Sequence, residues 1–84
     1  PSPVVALNRA VAVAMAQGNR KGLVALDEVA DDLADYPWYH STRAELLLRL
    51  GRYEEASVSF QRAIDLTNNT NTKTFLEERI GTIS

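Results

Sequence analysis

Apolar residues recur at intervals of three and four along almost the whole chain, which is the spacing of amphipathic helices. The first predicted helix runs from Pro3 to about Gln17, with Ser2 as its N-cap and Gly18 at its end. Its apolar stripe is formed by Val4, Leu7, Val11, Ala14 and Met15. Alanines occupy the other faces, so this helix is expected to pack on more than one side.

The second predicted helix runs from about Arg20 to Ala34, and Asn19 is expected to cap it. Its apolar stripe is formed by Leu23, Leu26, Val29, Ala30 and Leu33. Tyr36 precedes Pro37, and a residue before proline avoids the helical region, so the helix should end there.

Three further helices follow in the pattern. The third runs from about Trp38 to Leu50 and the fourth from about Tyr53 to Thr67. The inward residues of the third are Tyr39, Leu46, Leu47 and Leu50. Asn71 or Thr72 should cap the fifth, which is expected to pack through Phe75, Leu76, Ile80 and Ile83. The predicted fold is all-α: hairpins over about 3–35 and 38–67, then a capping helix over about 72–82, in one domain.

The segment 50–66, LGRYEEASVSFQRAIDL, resembles the second half of a tetratricopeptide repeat. The matching positions are Gly51, Tyr53, Ala56, Phe60 and Ala63. Gly51 should adopt a left-handed backbone and Tyr53 should fill the turn between two helices. The two alanines permit close helix approach around the ring of Phe60. Such repeats present surfaces to partners and rarely carry chemistry.

The repeat period supports two successive hairpins. Gly18 and Gly51 are 33 residues apart, close to the tetratricopeptide period of about 34. The first hairpin matches poorly, because Arg20 and Asp27 stand where the second has its aromatic residues. Asn68 replaces the usual proline at the end of the second repeat, so the array should stop there.

The whole chain also resembles a C-terminal extension found in one group of bacterial extracytoplasmic-function sigma factors. The resemblance is carried by PSPVVALNRAVAVAMAQG, GLVALDEV, YHSTRAELLLRLGR, the EEA…FQRAIDL segment and NTKTFLEERI, in that order. It implies a longer protein whose N-terminal sigma domains bind core RNA polymerase and read the promoter. This segment would support or regulate that activity as a tetratricopeptide-like extension. No promoter-reading or polymerase-binding residue can be assigned within it.

Composition narrows the function classes. The chain has 84 residues, no cysteine and a net charge of −2. It starts at Pro1 without an initiator methionine, so we expect a fragment. Direct nucleic-acid contact is disfavoured because such domains are usually basic. The longest apolar run, 11–16, is far too short to span a bilayer. We expect a cytoplasmic protein.

Two polar features are candidate chemical sites. Asp27, Asp31 and Asp35 fall on one helix face, within an acidic cluster that includes Glu28 and Asp32. A site for a divalent cation or a basic partner is the alternative to a solvated face. The solvated face is favoured because one straight helix gathers cation ligands poorly. His40 is the single histidine and is expected to serve in packing or at the surface. We expect no catalytic set, metal, cofactor or small-molecule ligand.

Aromatic and basic residues offer contact surfaces. Tyr36, Trp38 and Tyr39 are expected to plug the junction between the hairpins, with Trp38 as a partner contact in the alternative. We expect a structural role for the three arginines of the third helix and its exit, Arg43, Arg49 and Arg52. Glu45 and Arg49 are four residues apart, which is the spacing of an ion pair along one helix. The alternative for these arginines is a phosphate or an acidic partner.

In tetratricopeptide folds the first helix of each hairpin lines a concave groove. The repeat register assigns Asn8, Ala12 and Met15 to that groove from the first helix. From the third helix it assigns Ser41, Glu45, Leu48 and Arg49. The predicted partners are the sigma domains of the same protein or RNA polymerase. The alternative is a general adaptor that captures a segment of a separate protein.

Overall fold

Residues 2–83 are described by the computed structural model, and within that range the chain forms helices joined by short turns. In chain order the helices are α1 (Pro3–Gln17), α2 (Asn19–Glu28), α3 (Ala30–Leu33), α4 (Pro37–Arg49), α5 (Tyr53–Leu66) and α6 (Thr70–Ile83). The main packing pairs are α1 with α2, α4 with α5, α5 with α6, and α2 with α4. The predicted all-α class, with helical hairpins followed by a further helix, is confirmed.

The first turn is very short. The side chain of Ser2 accepts a hydrogen bond from the Val4 amide at 3.2 Å, so the predicted N-cap is confirmed. Gly18 alone separates α1 from α2, with a φ of 104°, a value that an L side chain rarely adopts. The predicted cap at Asn19 is wrong, because Asn19 is the first residue of α2 and no side chain caps that helix.

The predicted second helix is interrupted. Val29 has φ −114° and ψ 13°, and its amide donates to the Leu26 carbonyl three residues back rather than four. The chain then resumes as the short helix α3, in which the Leu33 amide donates to the Val29 carbonyl. The predicted helix over about 20–34 is therefore two helices, α2 and α3.

The second hairpin turns at Gly51. Its φ is 77°, so the predicted left-handed residue is confirmed. The Arg52 amide reaches back to the Leu47 carbonyl at 2.9 Å and closes the end of α4. Tyr53 does not fill this turn as expected, because it starts α5 on the solvent side and is 56% exposed. Tyr36 is extended before Pro37, as predicted.

The core runs through both hairpins and α6. Its buried apolar residues are Leu7, Ala10, Ala14, Leu23, Leu26, Leu33, Tyr39, Ala44, Leu46, Leu47, Ala56, Phe60, Ala63 and Leu76. Phe60 is fully buried together with Ala56 and Ala63, as the repeat spacing predicted. Leu50, Ile80 and Ile83 pack against this core while partly buried. Val4 and Met15 do not join it, because the buried side of α1 is centred on Leu7, Ala10 and Ala14.

The last helix begins earlier than expected. Asn69 Oδ1 accepts from the Thr72 amide at 3.0 Å, so the cap is Asn69 and not Asn71 or Thr72. The helix α6 packs on α5 and buries Leu76, while Phe75 is 54% exposed and faces away from the core. Its position beside α4 creates the surface described next.

Candidate functional site

An open groove of about 450 Å³ lies between α4 and α6, above the buried ring of Phe60. The lining residues are Trp38, Ser41, Thr42, Glu45, Arg49, Phe60, Phe75, Leu76 and Arg79. A volume of this size is within the range of sites that hold a small ligand or a few side chains, about 300–1,000 Å³.

Four of the seven predicted contact residues line this groove: Trp38, Ser41, Glu45 and Arg49. Leu48 is half-buried against the core and is not part of the lining. Asn8 and Met15 are exposed on α1, and Met15 is 82% exposed, yet neither lines the groove. The groove therefore belongs to the second hairpin and α6, not to a surface shared with α1.

A two-pronged ion pair crosses the groove. Arg79 donates from Nε to Glu45 Oε2 at 2.8 Å and from Nη2 to Glu45 Oε1 at 2.6 Å. Each side chain is 31% exposed, and the hydrogen bonds that Arg79 donates to Glu45 raise the pKa of Arg79 above its ordinary value. The Arg79 guanidinium carbon also lies 6.0 Å from the centroid of the Phe60 ring. The pair ties α6 to α4.

The predicted pairing of Glu45 with Arg49 is wrong. Both carboxylate oxygens of Glu45 are engaged by Arg79, and no ion pair of Arg49 occurs within residues 2–83. Arg49 is exposed at the last turn of α4. The groove thus carries two guanidinium groups and one carboxylate, an excess of one positive charge in a chain of net charge −2.

The other two arginines of the predicted strip have partners. Arg43 Nη1 donates to Ser59 Oγ at 3.0 Å, and its Nε lies 3.9 Å from Asp27 Oδ1. Arg52 forms two hydrogen bonds, of 2.6 and 2.8 Å, with Glu55, and they lower the pKa of that carboxyl group. Arg43 and Arg52 are therefore engaged within the chain.

The aromatic cluster near Pro37 divides between core and surface. Tyr39 is buried at the hairpin junction, and burial raises the pKa of its phenol. Trp38 is 50% exposed at the mouth of the groove. His40 Nε2 donates a hydrogen bond to the Ala34 carbonyl at 2.7 Å, and the imidazole stands edge-on to the Tyr39 ring, with the two centroids 4.9 Å apart.

The acidic cluster is not on one continuous helix. Asp27 lies in α2 and Asp31 in α3, on either side of the break at Val29, and Asp35 follows α3. Across residues 2–83, no group of three or more histidine, aspartate and glutamate side chains is arranged to hold a metal ion.

Sequence reasoning placed Phe75 in the core and assigned no role to Arg79, although both line the groove. A signal for Arg79 was present. It lies 34 residues after Glu45, which is one repeat length. The helix α6 therefore stands where the first helix of a third repeat would stand, and Arg79 is the register equivalent of Glu45.

The comparisons with known proteins give one relative of undefined function. The chain is 40% identical over 80 residues, 95% of its length, to an uncharacterized protein of Rhizobium meliloti (strain 1021). The chain spans 19% of the length of that relative. No family model and no solved structure matches the chain. No helix within residues 2–83 has the length and apolar character needed to cross a membrane.

Proposed function

We propose that this chain is a non-catalytic protein-interaction domain of an extracytoplasmic-function sigma factor. It docks on the sigma domains of the same protein or on RNA polymerase and thereby regulates transcription initiation. The observation that carries the interaction role is the groove between α4 and α6, where Trp38 and Phe75 are each about half exposed. The sigma-factor assignment rests on the resemblance of the five sequence blocks.

The polar groups of the groove favour binding over covalent chemistry. The carboxylate of Glu45 is held by Arg79, so it is poorly placed to accept a proton from a substrate. The hydroxyl of Ser41 donates to the Trp38 carbonyl at 3.2 Å. The Nε2 atom of the neighbouring His40 is bonded to the Ala34 carbonyl, so no hydrogen bond joins the hydroxyl to this base. Exposed aromatic rings beside an ordered charge pair are features of a contact surface.

The proposed mechanism is a shift in populations. If the groove binds one arrangement of the sigma domains more tightly than another, it increases the fraction of protein in that arrangement. The size of the shift is set by the difference between the two binding free energies. The longer protein would contact promoter DNA, while this segment would contact protein only. This role places the protein in the bacterial cytoplasm.

Promoter-directed transcription by the longer protein tests this proposal. We expect removal of residues 1–84, or a Trp38→Ala, Phe75→Ala double substitution, to change transcript yield in the same direction. The exposed Val58→Ala variant is the control, because Val58 is 71% exposed on α5 and does not line the groove. Unchanged transcription with the truncated protein, shown to be folded, would refute the regulatory role.

A general adaptor is the second candidate, favoured by the open shape and half-exposed aromatic walls of the groove. Capture experiments with the 84-residue domain distinguish the two roles. Retention of the N-terminal part of the same longer protein supports the regulator, whereas retention of a separate protein, lost in the Trp38→Ala, Phe75→Ala variant, supports the adaptor.

A further inference from the structure

We infer that the groove between α4 and α6 binds an extended acidic segment of a partner protein. That segment is about five residues long, with an aliphatic or aromatic side chain at one end and a carboxylate at the other. This inference rests on the proposed function, because it specifies the chemistry of the partner for the same groove.

One end of the groove is apolar. Trp38 on α4 and Phe75 on α6 form its walls, and they are 50% and 54% exposed. Between them the floor is closed by Phe60 and Leu76, which are buried. An inserted aliphatic or aromatic side chain would remove both exposed rings from water, and large apolar anchors in preformed pockets dominate the affinity of such contacts.

The other end of the groove is cationic. Arg79 and Glu45 satisfy one another, so the charge pair presents little net charge to a ligand. Arg49 lies one turn beyond Glu45 on α4, is exposed, and makes no ion pair within residues 2–83. A carboxylate is the complement of this guanidinium group, and a positively charged segment would be repelled.

The spacing of the two ends sets the length of the segment. Trp38 and Arg49 are eleven residues apart on α4, which is about 16 Å along a helix axis. An extended strand covers that distance in about five residues at about 3.3 Å each. The Glu45–Arg79 pair lies between the ends, so the middle of the segment meets a polar strip and needs no large side chain there.

Intrinsic fluorescence of the 84-residue chain tests the inference. Trp38 is the single tryptophan of the chain, so its emission reports directly on occupancy of the groove. The probe is an acetylated and amidated eight-residue peptide with two leucines at one end, two glutamates at the other and serines between, made in both chain directions. Control peptides replace the glutamates with lysines or the leucines with serines.

We expect the leucine–glutamate peptide to give a saturable blue shift of Trp38 emission that weakens as salt is raised. Arg49→Ala should weaken binding about two- to fivefold, the effect of an ion pair that water still reaches. Arg49→Glu should weaken it further. Arg62→Ala is the matched control, since Arg62 is an exposed arginine of α5 outside the groove. Phe75→Ala should weaken binding through the apolar end, with helicity checked by circular dichroism.

Equal or tighter binding of the leucine–lysine peptide would overturn the inference, as would equal effects of Arg49→Ala and Arg62→Ala. A blue shift caused by self-association of the chain, detected by sedimentation, would also overturn it.

These results are independent of the transcription assay. If the peptide does not bind while transcription still depends on residues 1–84, the acidic-segment inference fails and the regulatory role stands. If the peptide binds while transcription does not depend on residues 1–84, the regulatory role alone is refuted.

Discussion

The contact between α1 and α2 at Gly22 provides a sharp test of the packing. A Cβ atom added to Gly22 would lie 2.5 Å from Ala14 Cβ, 3.0 Å from Ala14 Cα and 3.1 Å from Leu46 Cδ1. Carbon atoms in van der Waals contact are about 3.5–4.0 Å apart. The Ala14 atoms cannot rotate out of the way, so α1 and α2 must separate to admit a methyl group.

The expected cost of Gly22→Ala follows from two opposing effects. Alanine is favoured over glycine in a helix interior by about 1 kcal/mol. Overpacking a fitted contact costs about 1–3 kcal/mol and more where rigid atoms collide, as they do against Ala14. The net expectation is a loss of about 2 kcal/mol. For 84 residues the free energy of unfolding is about 4–12 kcal/mol, so the loss should be easily measured.

Gly81→Ala is the matched control. Gly81 lies in α6, and an added Cβ would have nothing within 4 Å. The same substitution should therefore stabilise the chain there by about 0.5–1 kcal/mol, less where the helix end frays. The two variants should differ by about 3 kcal/mol in free energy of unfolding, or about 12–24 °C in Tm for a domain of this size.

Urea and thermal unfolding followed by circular dichroism measure this difference. A Gly22→Ala protein that is as stable as wild type, or is stabilised as much as Gly81→Ala, would refute the close α1–α2 approach. Adding Ala14→Gly to Gly22→Ala should recover part of the loss, whereas Ala14→Gly alone should destabilise. If the changes in free energy of unfolding for the two substitutions were additive, the added methyl group would not collide with the Ala14 side chain.

Three further predictions concern single side chains. Burial raises the pKa of Tyr39 above its ordinary value of about 10, so the stability contributed by its neutral phenol is present below about pH 10 and is lost as pH rises. Between about pH 8 and about pH 11, the free energy of unfolding in urea should therefore fall more for wild type than for Tyr39→Phe. Arg79→Met should cost about 0.5–1 kcal/mol, less at high salt, with a coupling to Glu45→Gln in a double-mutant cycle. Phe60→Ala should cost about 3–5 kcal/mol by thermal unfolding, whereas Val58→Ala should change stability by less than about 0.5 kcal/mol.

Most of the fold was predictable because strong local signals agree with the tertiary packing. Proline and glycine mark several of its turns, and the helical periodicity identifies Leu23, Leu26 and Leu47 as buried residues. The interruption at Val29 was not predictable from periodicity. The apolar stripe continues through it unchanged, and only the backbone departs from the helix.

Exposure on α1 was predicted less well, because the sequence of this helix is apolar on nearly every side. Leu7, Ala10 and Ala14 are buried, while Val4 and Met15 face solvent. Which apolar stripe becomes the core depends on the partner helices, and alanine at the closest contacts is a weaker signal than a large side chain. Gly22 illustrates the same point, since a glycine inside a helical pattern marks a close approach but does not identify the partner.

The groove was predicted in part, and the error has a definite cause. Reading α4 alone pairs Glu45 with Arg49, because four residues is the favourable helical spacing. The fold offers Glu45 a better partner, because Arg79 on α6 donates two hydrogen bonds to its carboxylate. Two parallel hydrogen bonds are more stabilising than a single exposed ion pair.

The helix α6 therefore does more than cover the end of the second hairpin. By occupying Glu45 it leaves Arg49 without an ion pair within residues 2–83, and by placing Phe75 in the lining of the groove it supplies the second apolar wall. A helix that merely capped the stack would need only Leu76, Ile80 and Ile83 against the core. The proposal of a partner segment that is both apolar and acidic rests on this placement of Arg79 and Phe75.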